Sequence, residues 1–193
     1  MSSRTAPFSA SRRACLLAAG ALAIEPALAA TAWPTGWVQP RLPAPAIVLV
    51  DSDARSQPLP QRLQGQLTVV QLIYTGCGTT CPTQGRLFSY MAERHRHRPV
   101  RWLSISIDAL GDDPRRLREW QARLGAQPRW QAAVPAPQDV DRVVSFLRGG
   151  AAGGDSHTTQ VFAFDRQGAL AYRTGDATPV ALLDELVERL LAG

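Results

Sequence analysis

An α/β sandwich, with one mixed sheet flanked by helices and closed by a β-hairpin and a C-terminal helix, is the fold class that the sequence predicts. Three observations carry it. Residues 67–74 form an apolar run rich in Val, Ile and Leu, as a strand buried on both faces requires. Segments with strand-like and helix-like patterns then alternate toward the C-terminus. Last, residues 159–164 and 169–173 flank the turn Asp165-Arg166-Gln167-Gly168, so they pair as a hairpin ahead of a final helix.

The elements follow in order. Residues 1–29 read as an export signal: Arg4, Arg12 and Arg13 precede an apolar run of about eleven residues, and Ala27-Leu28-Ala29 supplies a cleavage site. A spanning helix needs about 20 apolar residues, so cleavage is expected over a retained anchor. Ser11-Arg12-Arg13 and the apolar residues after it resemble the twin-arginine type; the alternative is an ordinary Sec signal. Residues 30–45, rich in Pro and Trp, read as an extended arm over the surface without chemistry of its own. The domain proper is assigned to residues 46–193.

Within it, residues 46–50 form a short strand, and Asp51-Ser52-Asp53-Ala54-Arg55 marks a hairpin or bend ahead of the central strand. Pro82 suits a first helical turn, so a helix starts within Cys77-Gly78-Thr79-Thr80-Cys81 and runs toward Arg94. Residues 100–107 give the next strand. Asp113-Pro114 is an N-cap and first helical residue, with Leu117, Trp120, Gln121 and Leu124 on one face and Arg115, Arg116 and Arg118 outward. Val140, Val143, Val144 and Leu147 make a core-facing stripe on a helix over residues 138–147. The last helix opens at Thr178-Pro179 and turns Val180, Leu183, Val187 and Leu190 inward.

The 21 basic side chains are all Arg, and the formal net charge is +5. Export makes nucleic acid an unexpected partner. The basic run Arg94-His95-Arg96-His97-Arg98 is read as a solvated helix end. Contact with a membrane is expected only through a partner or an uncleaved signal.

Chemistry gathers at Cys77 and Cys81, just past the central strand. Strand, thiol-bearing turn and helix are the local plan of a thioredoxin-like redox or metal site. Helical dihedrals between the two would place them on one face, with Cβ atoms roughly 5–6 Å apart, within reach of a disulfide or a shared metal ion. A helix N-terminus favours the thiolate, which both attacks disulfides and binds metals. A structural disulfide closing so short a loop would add little stability. His95 and His97 lie about four turns along the helix and are poor ligands for this site. His157, in Asp155-Ser156-His157-Thr158 before a strand, stands where sites are built in α/β folds. Asp108, at the end of the second core strand, is a supporting group that could steer a cation or accept a proton; capping a turn explains it equally well.

The chain resembles the SCO/SenC family, thioredoxin-fold copper proteins of cytochrome c oxidase assembly. The likeness rests on Tyr74-Thr75-Gly76-Cys77-Gly78-Thr79-Thr80-Cys81-Pro82, on Ser104-Ile105-Ser106-Ile107-Asp108 followed by Asp113-Pro114, and on Asp155-Ser156-His157-Thr158. It implies a thioredoxin-like fold, with Cys77, Cys81 and His157 as metal ligands and Asp108 as the family's acidic residue. Departures are Gly78, where members usually carry proline, Thr80, often aspartate, and a short glycine-rich segment before His157.

Two thiolates and an imidazole form a soft set suited to copper, Cu(I) first and Cu(II) second, while a closed structural zinc site wants a fourth ligand. The leading expectation is a periplasmic copper-binding protein that delivers copper to a cytochrome oxidase or reduces the thiols of its copper site. The partners implied are the oxidase's copper-binding subunit, a periplasmic thiol reductant and another copper chaperone. The alternative is a thiol-disulfide oxidoreductase acting without metal. Against it, the usual Cys-x-x-Cys spacing is missing, and His157 stands where such enzymes place a proline.

Overall fold

The computed structural model describes residues 34–150 and 158–192. The export signal read at residues 1–29, and His157 with the six residues before it, lie outside the described residues. Strands β1 (Gly36–Pro43), β2 (Val48–Asp51), β3 (Ser56–Pro58), β4 (Leu67–Ile73), β5 (Val100–Ser106), β6 (Trp130–Pro135), β7 (Val161–Phe164) and β8 (Ala169–Arg173) form one sheet. Their order is β1-β8-β7-β4-β5-β6-β2-β3. The centre, β4-β5-β6, is parallel, and the remaining pairs are antiparallel. Helices α1 (Leu59–Leu63), α2 (Thr80–Arg94), α3 (Pro114–Leu124), α4 (Val140–Arg148) and α5 (Val180–Ala192) cover the sheet. No helix among the described residues is long and apolar enough to cross a membrane.

Every residue of β4 is buried, as the apolar run requires. Because side chains alternate along a strand, Val69 and Ile73 enter one core with Trp102, Phe88 of α2, Trp120 of α3 and Leu183 of α5. Val70 and Leu72 enter the other, with Leu103, Phe162, Leu63 of α1 and Val143 of α4. Gly85 sets how closely α2 approaches α3, since a Cβ there would collide with Leu124 and Trp120. Asp113 caps α3 by accepting the Arg116 N–H at 2.8 Å, with Pro114 following as expected.

Several expectations are revised. The stretch read as a surface arm contributes β1, an edge strand that pairs Gly36 with Arg173 and Pro43 with Ala169. Trp37 packs edge-on against Tyr172, and Arg41 reaches Asp165 at 2.8 Å. Pro40 and Pro43 mask the strand in sequence, yet proline is tolerated where one side of the ladder is open. Strand β6 has no counterpart in the sequence reading, because Trp-Gln-Ala-Ala-Val-Pro is short and has little β-branched character. Val180 is exposed at the first turn of α5, and Leu186 joins Leu183, Val187 and Leu190 inside. The basic run is only partly solvated. His95 is buried and its Nε2 lies 2.8 Å from Asp184, while Arg94 and Arg98 pair with Asp184 and Glu188, so the end of α2 is tied to α5.

Candidate metal centre

The apolar strand β4 delivers the chain to a turn at the carboxyl end of the sheet, where sites in α/β folds collect. The Cys77 N–H donates to the Tyr74 carbonyl at 3.2 Å, folding residues 74–77 back on themselves. Helix α2 begins at Thr80, so Cys77 stands before the helix and Cys81 within its first turn. The helix therefore starts inside the Cys-x-x-x-Cys segment as expected, but a turn, and not a shared helical face, brings the sulfurs near each other. Thr79, at the N-cap position, gives no side-chain hydrogen bond to the helix. Sulfur takes that place: Cys77 Sγ accepts the Cys81 N–H at 3.3 Å. Both cysteines are buried and free.

Their environments separate the two thiols. Burial opposes ionisation of Cys77, but the N–H groups of Cys81 and Thr79, the Cys81 thiol and the Tyr74 hydroxyl all donate to its sulfur, and together they bring it down to about 6. Burial pushes Cys81 up to about 12; the Tyr74 N–H works the other way, while the neighbouring Cys77 and Asp112 charges add to the rise. At neutral pH the site thus holds one thiolate and one thiol.

The loop is locked from below by Asp112. Its Oδ2 accepts the Thr75 N–H at 2.9 Å and the Ser106 hydroxyl at 2.6 Å, and Oδ1 accepts the Thr75 hydroxyl. Asp108, singled out from the sequence, has its Oδ1 on the Gly111 N–H at 2.8 Å, within its own turn. The carboxylate in contact with the thiol loop is Asp112. With Asp113 committed to capping α3, Asp112 was the remaining acid of the Asp-Asp-Pro sequence, and that elimination is the signal that could have found it.

Residues after His157 are held against the thiol helix. Gln84 of α2 donates its Nε2–H to the Thr159 carbonyl at 2.7 Å. Asp176 accepts the Thr159 N–H at 2.6 Å and the hydroxyls of Thr158 and Thr159 at 3.0 and 2.9 Å. Burial opposes the Asp176 charge, yet these bonds and the Arg148 charge keep its carboxyl below the ordinary range. Thr158 lines a small apolar pocket together with Cys81, Tyr74, Thr80 and Ile107. His157, bonded to Thr158, lies outside the described residues, and among the described residues no three His, Cys, Asp or Glu side chains form a group that could hold a metal ion. Neither Gln84 nor Asp176 carries a sequence signal of its role, since each acts on backbone far along the chain.

The sequence model of the SCO1/SenC family matches residues 48–192. The chain belongs to the SCO1/SenC family. Among solved structures, yeast Sco1 with copper bound is 18% identical, with 81% of this chain and 96% of that one covered at a TM-score of 0.65. BsSco, described as a member of the Sco family of cytochrome c oxidase assembly proteins with a disulfide switch, is 16% identical over 77% of this chain and 92% of its own, TM-score 0.65. Arabidopsis thaliana ScoI with copper bound is 17% identical over 76% and 97%, TM-score 0.62. A comparison with curated proteins returned no match. The likeness establishes the thioredoxin-like fold. For this SCO1/SenC chain, the fit of a metal rests on its own donors: two buried sulfurs on one turn, one of them a thiolate at neutral pH, suit a soft thiophilic ion.

Proposed function

We propose that this chain is an exported, periplasmic copper-binding protein, in which Cys77, Cys81 and His157 hold copper for the copper site of a cytochrome oxidase. The observation that carries the reading is the pairing of Cys77 and Cys81 on one turn, with Thr158, the residue after His157, on the same pocket as Cys81. Copper bound to Sco proteins of yeast and Arabidopsis, and the assembly role described for BsSco, support it. Copper would supply the cargo and a redox-responsive bond to sulfur. The protein's own residues prepare the site: Asp112 fixes the loop, the Thr79 and Cys81 amides hold the Cys77 thiolate, and burial keeps Cys81 protonated until a ligand displaces its proton. The export signal at residues 1–29 would bring the domain to the oxidase's copper-binding subunit.

The unequal thiols favour a second reading, reduction of that subunit's cysteines. The Cys77 thiolate attacks a substrate disulfide, forming a mixed disulfide and expelling one substrate thiolate. Cys81 then loses its proton and attacks Cys77, expelling the second, so the substrate gains two electrons and the Cys77–Cys81 disulfide forms. A thiol reductant must restore the dithiol.

Metal analysis of the reduced protein separates the readings. About one copper per chain is expected, lost in both Cys77→Ser and His157→Ala. Equal copper in both variants would overturn the copper site, and a copper-free protein that still reduces disulfides would leave the second reading.

A further inference from the structure

A second pocket lies at the opposite end of the parallel strands. Gln66 precedes β4, Arg101 is the second residue of β5, and Arg129 and Gln131 flank the start of β6. With Pro128 they line a pocket of about 370 Å³. Seven residues of β4 separate this end from the thiols, roughly 23 Å of extended strand.

The pocket is positively charged and contains no carboxylate. Arg101 uses Nη1 on the Arg62 carbonyl, and Arg129 uses Nε on the Arg96 carbonyl at 2.8 Å. No carboxylate among the described residues pairs with either. The buried Arg62 stands behind them, its Nη2 3.2 Å from Asp51 and its Nη1 on Gln131 Oε1 at 3.0 Å. Because that bond occupies the Gln131 oxygen, the N–H₂ end of the amide remains to donate. Burial, and then the charges of Arg62 and Arg129, press the Arg101 guanidinium below its ordinary pKa. Of these three cations only Arg62 is paired with an acid, Asp51, and an anion in the pocket would relieve the repulsion among them.

We propose that this pocket binds a phosphate group, held between the guanidinium groups of Arg101 and Arg129 with the Gln131 amide as a further donor. Guanidinium forks match tetrahedral oxyanions through paired N–H···O bonds. The volume leaves room for the group that carries the phosphate. Two sources share this chemistry, a soluble phosphate and an anionic phospholipid headgroup. The site is independent of the copper reading, since no residue is common to both.

Thermal unfolding of the metal-free protein with inorganic phosphate, against sodium chloride at equal ionic strength, tests the soluble source. Phosphate at about ten times its dissociation constant raises the midpoint by about 3 °C or more. Arg101→Gln and Arg129→Gln each abolish the shift, and Arg101→Gln melts no lower than the parent in the chloride arm because a repulsion has gone. Arg123→Gln, at an exposed position outside the pocket, keeps the shift. Flotation with phosphatidylglycerol vesicles, against phosphatidylcholine vesicles, tests the lipid source: binding to the former alone, lost in both pocket variants, assigns the headgroup. An equal response to phosphate and chloride together with no selective flotation overturns the proposal, as does any response that survives both substitutions.

Discussion

Cys77 owes its acidity to backbone more than to side chains. Two of the four groups that donate to its sulfur are the N–H groups of Thr79 and Cys81, which no side-chain substitution removes. In Cys81→Ser the remaining thiol therefore keeps a pKa well below the ordinary 9.0. Alkylation by iodoacetamide should then follow a single ionisation well below 9.0, the rate falling about tenfold per pH unit below it. In Cys77→Ser, Cys81 should react slowly through neutral pH, because burial holds its proton. A Cys77 profile centred on 9 would show that the sulfur does not cap the helix. The cysteine pair was legible from spacing and from the strand before it. The inequality of the two thiols was not, because it depends on where the helix begins, one residue before Cys81 and three after Cys77.

At the scale of elements, the site is a junction between β4, the β5–α3 loop and α2. Asp112 makes that junction: removing its carboxylate leaves the Thr75 N–H and hydroxyl and the Ser106 hydroxyl without their acceptor. Asp112→Ala should destabilise the reduced protein by about 2 kcal/mol or more in urea unfolding, whereas Asp108→Ala, which loses the bond from Gly111, should cost about 1 kcal/mol. The reverse order would return the supporting role to Asp108. Sequence patterns revealed β2, β4, β5, β7, β8, α2, α3, α4 and α5, because each is long, periodic or bounded by turn residues. The edge strand β1 and the alanine-rich β6 escaped, since what stabilises them is the neighbour they pair with, β8 for the first and β5 and β2 for the second. Asp112, Gln84 and Asp176 escaped for a related reason: the Thr75 and Thr159 groups that they hold are distant in the chain.

Across the whole molecule, two chemistries divide the parallel strands by their ends. The cysteine sulfurs and Thr158 gather at the carboxyl end; guanidinium groups gather at the amino end. The fold accounts for both, since a parallel sheet brings successive loops together at each edge. At the first end, the proposed copper site draws three donors, Cys77, Cys81 and His157, from two distant segments. X-ray absorption at the copper edge of the reduced, copper-loaded protein reads that ligand set. Two sulfurs and one imidazole nitrogen are expected around copper in the parent protein, with no bound copper left to scatter in His157→Ala. A parent copper site with fewer than two sulfurs or without an imidazole nitrogen, or a copper spectrum unchanged in His157→Ala, would contradict it.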